Sequence, residues 1–457
     1  MLRRSVVEYL EAHREEHLAR LMEFLRIPSV ANTRPDDCRR CAEWLAERLE
    51  ELGLEAQVAE GGGPPNVLAR AHVDDTAPTL LVYGHYDVQP PDPLEQWHSD
   101  PFEPVVRDES LFARGASDDK GPLMAHLAAI EAFRQAGDAL PVNLKLFAEG
   151  EEEIGSPHLE GFLAEHAEML AADAAVISDS EFFAPDVPSI TYALRGLAYV
   201  EVRLHGPSAD IHSGLHGGAV TNPINALARM LAEMHDADGR VTVPGFYDDV
   251  RPTSDAERAE WDKLPFDESE YARSLGVGAL GAGEKGLPVL ERRWGRPTLD
   301  ANGIVGGYTD KGSKTIIPAS ASAKISMRLV PDQDPAKVVA GFREFVAAHT
   351  PPGVTAEVHV NAEARPVLLP LDSPAMDAGR AAMAEAFGRA PAMIRCGASV
   401  PVTEVIQRLL GLDAVLLGFG LPDDRIHSPN ERFRLSQFHG GCLAAAAFLQ
   451  NLRDALG

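Results

Sequence analysis

Four short apolar runs, each breaking off into histidine or carboxylate residues, constrain this chain more than any other feature. The run at 79–83 continues as "GHYD", so that His85 and Asp87 stand two residues apart just after a glycine. The run at 142–148 leads into "EGEEE", the run at 174–178 into Asp179, and the run at 413–419 into "GLPDDRIHSPNERF", which carries His427. Helical spacing of apolar residues fills the intervals, at 3–26, 36–53, 121–136, 374–387 and from about 436 to the end. Short strand-like runs alternating with helices predict an α/β fold, a mixed open sheet with helices on both faces. In such a sheet ligands bind beyond the carboxyl ends of the strands. The four runs therefore deliver their polar residues to one rim, and a fifth cluster, "SDDKG" with Asp118 and Asp119, opens the helix at 121–136.

From about Tyr199 the texture changes. "LAYVEVRLHG", "ASAKISMRLVP" and "TAEVHVNAEA" alternate apolar and polar residues, as half-solvated antiparallel strands do. Helical stretches at 222–236 and 335–348 and a long acidic insertion lie between them. A chain of 457 residues also exceeds one compact core of ordinary size. The simplest organisation is a catalytic domain in two parts, 1–194 and 367–457, interrupted by an α+β domain at 195–366.

A net charge of −27 argues against nucleic acid and anionic membranes as partners, since both attract basic faces. No window approaches the roughly 20 apolar residues of a membrane span. The N-terminal stretch is interrupted by charges throughout and does not read as a signal peptide, so a cytoplasmic protein is expected. Cys38 and Cys41 fall on one helix stripe with Leu45, Leu49 and Leu52, which makes them small core residues rather than half of a zinc knuckle. "GVGALG", Gly276 to Gly281, matches a dinucleotide fingerprint in letters only, because a charged helical stretch precedes it where a strand is required.

Each polar cluster has an ordinary reading as a helix cap, a solvated face or an exposed loop residue. These readings weaken together, because the clusters share one topological position and offer only metal-ligand types. Carboxylates crowded without a cation repel one another and are driven toward protonation, and bound divalent metal resolves the conflict. His85, Asp118, Glu153, Asp179 and His427 supply three carboxylates and two imidazoles. Set against the roughly +4 of two zinc-type ions, these suit a two-metal hydrolytic site with the ions ~3.5 Å apart. Asp87, on the same strand face as His85, is placed to accept the other imidazole N–H and fix the ring. Hydrolysis also requires a base. Glu151, Glu152 and Glu153 offer one, and their spacing does not say which.

The stretches "GHYDVQP", "ARGASDDKG", "EGEEEIGS", "ISDS", "ALRG", "DIHSG", "GSKTIIP", "ISMRLVP", "GASVPVT" and "HSPNE" follow one another from about residue 80 to 431. In that order they resemble the di-zinc exopeptidase family that includes carnosinase, cytosolic non-specific dipeptidase, aminoacylase, glutamate carboxypeptidase and succinyl-diaminopimelate desuccinylase. "TIIP", "MRLVP" and "SVPVT" look most similar to the dipeptidase and carnosinase branch. The resemblance implies that Asp118 bridges two metals, that Glu152 is the general base, and that Glu153, Asp179, His85 and His427 complete the ligand set with Asp87 behind His85. It also implies a cis peptide between Asp118 and Asp119, and an inserted domain that serves as lid and dimerisation surface. His212 would reach an active site, that of the other subunit, and polarise the scissile carbonyl. Arg328, opposite in phase to Ile325, Met327 and Leu329 on its strand, would take the substrate's free carboxylate, for which a guanidinium fork is suited. Thr315 and Ser399 are further substrate-contact candidates, and no role falls to His205 or His216.

The expected activity is metal-dependent hydrolysis of the amide bond of dipeptides or short peptides with a free C-terminal carboxylate. The expected cofactors are two zinc ions, with manganese or cobalt also accepting these ligands. The expected assembly is a homodimer formed through the inserted domain. N-acyl-amino-acid deacylation is the alternative within the family, and a catalytically inactive binding homologue the alternative outside enzymes.

Overall fold

A computed structural model describes residues 1–398 and 400–457, and Ser399 lies outside the described residues. Two compact units emerge. One comprises Met1–Tyr192, Leu369–Ile394 and Val400–Gly457; the other comprises Ala193–Leu368 and the short stretch that begins at Arg395.

The first unit is built on a mixed sheet whose central strands run, in spatial order, Glu55–Ala59, Asn66–Ala71, Asn143–Glu149, Thr79–His85, Ala174–Ile177, Ala414–Leu417 and Ser189–Leu194. The middle of this sheet is parallel: Thr79–His85 pairs in parallel with both Asn143–Glu149 and Ala174–Ile177, and Ala414–Leu417 with Ala174–Ile177. These are the four apolar runs of the sequence. Leu80, Leu81, Val82 and Tyr83 are all buried, as expected of strands covered on both faces. Register places His85 directly beside Glu149, so the parallel strands end together at one rim.

Helices cover this sheet. The helix Pro35–Glu51 has proline at its first turn and Asp36 and Asp37 beside the positive end of its dipole. Cys38 and Cys41 sit on its buried stripe, fully enclosed, among Leu45 and Leu49. One helix departs from its sequence pattern. The periodicity at 3–26 is continuous, yet the structure has two helices, Arg4–Ala12 and Arg14–Leu25. His13 separates them at φ −109° and ψ 21°, and its Nδ1 meets the Tyr9 carbonyl at 2.8 Å while its ring stacks on Tyr9. A side chain that bonds the backbone one turn back competes with the helical ladder, and apolar spacing does not register it.

The second unit has a four-stranded antiparallel sheet in the order Thr298–Gly306, Ser320–Leu329, Gly196–His205, Thr355–Ala364. Along Gly196–His205 and Ser320–Leu329 buried residues alternate with more exposed ones. Helices Pro223–Glu233 and Pro335–His349 contribute Leu227, Met230, Phe342 and Phe345 to the same core as Val200, Val202, Ile325 and Met327. "GVGALG" is a loop that follows the helix Glu268–Ser274.

Candidate metal centre

His85 is the last residue of its strand and is fully buried. The glycine before it has a specific use. A Cβ at Gly84 would come within 2.9 Å of Asp119 Oδ2, the oxygen that accepts the His85 backbone N–H at 3.2 Å. Asp118 and Asp119 lie just before the helix Lys120–Gln135, and the peptide between them is cis, as the resemblance implies. Asp179 follows the strand Ala174–Ile177, Glu153 lies in a short 3₁₀ turn after Asn143–Glu149, and His427 lies in the loop after Ala414–Leu417.

These five residues converge. Asp118 Oδ1 lies 3.0 Å from His85 Nε2, and Asp118 Oδ2 lies 2.9 Å from His427 Nε2. His85 Nε2 is 4.0 Å from Asp179 Oδ2, and His427 Nε2 is 3.2 Å from Glu153 Oε2. The result is two groups of three, His85–Asp118–Asp179 and Asp118–Glu153–His427, each with ligand atoms within 4.8 Å of one another. Asp118 belongs to both and turns one oxygen toward each.

The acidic run sorts itself by direction. Glu151 turns away: its two oxygens meet the backbone N–H and the Nδ1 of His158 at 2.8 and 2.9 Å. Glu153 faces His427, and Gln89 holds it there by donating from Nε2 to Glu153 Oε2 at 2.8 Å and to its carbonyl at 3.1 Å. Gln89 was not singled out in the sequence. It lies in "GHYDVQP", and only its neighbourhood to the His–Asp pair pointed to it.

Asp87 requires a correction. The expected bond from the His85 imidazole to the Asp87 carboxylate is long, at 3.5 Å, whereas His85 Nδ1 lies 3.0 Å from the Asp87 main-chain carbonyl. The carboxylate is spent instead on two backbone N–H groups, those of Glu152 at 3.1 Å and Glu153 at 3.0 Å. The His85 ring is still fixed by an acceptor on Asp87, but that acceptor belongs to the chain.

The electrostatics are those of a carboxylate cluster that calls for cations. Burial pushes Glu152 up to about 9, with Asp179, Glu153 and Asp118 adding to the shift against the pull of His85. Burial, then Asp118, raises Asp179 to about 7. Asp118 goes the other way: against its burial, the bonds with His427 and His85 hold it below the ordinary carboxylate range. His427 is raised to about 10 by the bonds with Asp118 and Glu153. One carboxyl oxygen of Asp119 is also buried without a hydrogen-bond partner. Imidazole and carboxylate ligands bind metal through deprotonated atoms. Divalent cations would take over the neutralising work of these protons, and the oxygen- and nitrogen-donor set fits such ions.

The other candidates lie in the second unit. His212 and Thr315 come together there: Ile211–His212 pairs with Ile316–Ile317, and Thr315 accepts the Ser213 N–H at 3.1 Å. Arg328 is half-buried on Ser320–Leu329, between Leu197 and Thr298 of the flanking strands. Ser399 lies outside the described residues.

Comparison with known proteins finds relatives over nearly the whole chain. The chain is 31% identical over 470 residues to the Cys-Gly metallodipeptidase DUG1 of Saccharomyces cerevisiae, covering 98% of this chain and 97% of that one. It is 33% identical over 473 residues to the human Beta-Ala-His dipeptidase, covering 98% and 92%. Among solved structures, the M20 family metallo-carboxypeptidase Sso-CP2 from Sulfolobus solfataricus superposes with a TM-score of 0.86 at 34% identity, over 96% of this chain and 99% of that one. No helix among the described residues is long and apolar enough to cross a membrane. The profile of Peptidase family M20/M25/M40 matches residues 81–451, and the chain belongs to that family of metallopeptidases.

Proposed function

We propose that this chain hydrolyses the amide bond of dipeptides or short peptides that carry a free C-terminal carboxylate. It would do so with two divalent cations, one held by His85, Asp118 and Asp179 and the other by Asp118, Glu153 and His427. The observation that carries this reading is the position of Asp118, shared by the two groups of three with one oxygen toward each imidazole. When bound, the cations would supply Lewis-acid polarisation of the scissile carbonyl and a water acidic enough to attack near neutral pH.

Glu152 is the proposed base. Its backbone is pinned by Asp87 while its side chain is left unclaimed by the two ligand groups. It would take the proton of the attacking water and return it to the leaving amine. Beside two dications its carboxyl would titrate below that raised value, because nearby positive charge favours the ionised form. Arg328 would take the C-terminal carboxylate, Thr315 and Ser399 would contact the substrate, and His212, supplied by a second copy of the chain, would polarise the carbonyl. The second unit would serve as lid and dimerisation surface. Zinc is the proposed metal, with manganese and cobalt compatible with the donor set. Among the described residues the four cysteines form no disulfide, which suits the reducing cytoplasm.

Support comes from the relatives, two dipeptidases and a metallo-carboxypeptidase by name. The test is a substrate panel on metal-reconstituted protein: unblocked dipeptides, N-acetyl amino acids and dipeptide amides. Unblocked dipeptides should turn over fastest. Faster turnover of acetylated amino acids would establish a deacylase instead, and no turnover of any substrate with metal bound would leave a binding homologue.

A further inference from the structure

Glu431 lies four residues beyond His427, fully buried, and none of the chemistry above uses it. Its carboxylate nonetheless accepts four hydrogen bonds. Oε2 accepts from Arg114 Nη1 at 2.7 Å and from the Gly115 N–H at 3.0 Å; Oε1 accepts from the Ser117 N–H at 2.9 Å and the Asp118 N–H at 3.2 Å. One side chain thus gathers the whole turn that presents Asp118. The backbone completes the joint. The Ala113 N–H donates to the Glu431 carbonyl at 3.2 Å, and Arg432–Arg434 pairs with Ser110–Phe112.

We propose that Glu431 is the positioning residue for one of the two metal sites, that of Asp118, Glu153 and His427; this rests on the two-cation reading above. The reason is how differently the ligands are supported. His85 ends a central strand of the sheet and Asp179 stands two residues beyond another. His427 is carried by a loop in which His427 and Asn430 both adopt left-handed backbone, at φ 58° and 65°. Such residues hold that conformation only where the surroundings enforce it. Asn430 is pinned by the His98 N–H and the Gln96 carbonyl, both at 2.8 Å, and Glu431 ties the next residue of the loop to the Asp118 turn. The separation between Asp118 and His427 is therefore set by Glu431, whose hydrogen bonds go to the 114–118 turn and not to the strands that carry His85 and Asp179.

A carboxylate accepts at all of its lone pairs, whereas an amide presents N–H on one side. Glu431→Gln would set that N–H against two of the four donors. Partners of this kind behind a metal ligand typically contribute about 10–100-fold in metal affinity. The experiment is titration of chelator-stripped, full-length protein with cobalt(II), read by competition with a chromophoric chelator and by the visible absorption of the ion. His427→Ala identifies the binding step that belongs to the Glu153–His427 position. Glu431→Gln should weaken that same step about 10–100-fold and the other step less than about threefold, with the metal-free far-ultraviolet circular dichroism unchanged. Glu431→Asp, which keeps the charge but withdraws it by one methylene, should fall between and serves if the glutamine variant does not fold. Equal weakening of both steps, or of neither, overturns the proposal while leaving the two-cation reading intact. Wild-type protein that takes up fewer than two cations overturns both.

Discussion

One carboxylate oxygen of Asp87 accepts the backbone N–H of Glu152 at 3.1 Å, and the other accepts that of Glu153 at 3.0 Å. Because Asp87 also fixes the His85 ring through its carbonyl, one short segment orients a proposed ligand, the proposed base and a second ligand. Asp87→Ala should therefore lower metal content and turnover together. Removing a buried acceptor of two N–H groups leaves both unsatisfied, at about 1–3 kcal/mol each. Metal analysis by mass spectrometry alongside dipeptide turnover decides it; full metal occupancy with a pure rate defect would restrict Asp87 to the base.

Glu152→Gln should behave differently. The amide is close in shape, and the Asp87 bond to residue 152 involves only the backbone. Metal content should stay at the wild-type level while kcat falls by about 10²–10⁴, the usual contribution of a positioned base. Turnover within a few-fold of wild type would show that the proton is taken elsewhere.

Metal affinity should rise with pH. In the metal-free cluster the His427 imidazole titrates at about 10, so below that pH it holds a proton that a cation must displace. Each proton released makes the affinity climb about tenfold per pH unit until the group's own pKa is reached. Competition titrations at pH 6 and pH 8 should differ by at least about a hundredfold. Equal affinities at the two pH values would mean that no proton is displaced from His427 on binding, either because the free imidazole is already neutral or because it is not a ligand.

Much of this arrangement is legible in the sequence, and what is not has a common cause. Four apolar runs of strand length, each with polar residues at its end, suffice to place His85, Glu153, Asp179 and His427 at one rim, because parallel strands in register must end together. Hydropathy says nothing about bonds from side chain to backbone. The partners of Asp87, the tie from Glu431 to the 115–118 turn and the break at His13 are all of that kind. Nor does a run of three glutamates reveal which turns away. Glu151 is settled by His158, seven residues on and across a turn.

Glu131 makes a prediction remote from the metal centre. Its side chain is 7% exposed and is surrounded by Arg20, Arg48 at 2.8 Å and the Tyr9 hydroxyl at 3.1 Å, with His17 at 3.7 Å. Burial opposes its ionisation, but the Arg20 hydrogen bond and the charges of Arg20 and Arg48 hold the carboxyl below its ordinary value. Breaking such a buried network from one side strands the remaining charges. Glu131→Ala should cost about 2–4 kcal/mol, discounted because Arg20 is partly solvated. Urea denaturation should show that loss with metal affinity unchanged, whereas a loss below about 0.5 kcal/mol would mark the network as mere surface pairing.

His126 should make the protein acid-sensitive in a defined window. It is enclosed in the helix Lys120–Gln135, with Nε2 2.8 Å from Ser178 Oγ, and burial lowers its imidazole from 6.5 to about 4. The unfolded chain would bind this proton at the ordinary pKa, so between pH 6.5 and 4 it holds more protons than the folded chain. Stability is therefore lost as pH falls through that window, by about 3 kcal/mol for a shift of this size. Below pH 4 the loss from this group is complete. Carboxylates and His439, also lowered to about 4 by burial and then by Arg14 and His17, add their own acid dependence. That contribution is common to wild type and variant and cancels in their difference. His126→Gln removes the titration while keeping a polar end for Ser178. Its stability should fall less than wild type's between pH 7 and pH 4, by about 2–3 kcal/mol in chemical denaturation. Parallel losses in the two proteins would mean that His126 opens to solvent, or gains a compensating partner, before it charges.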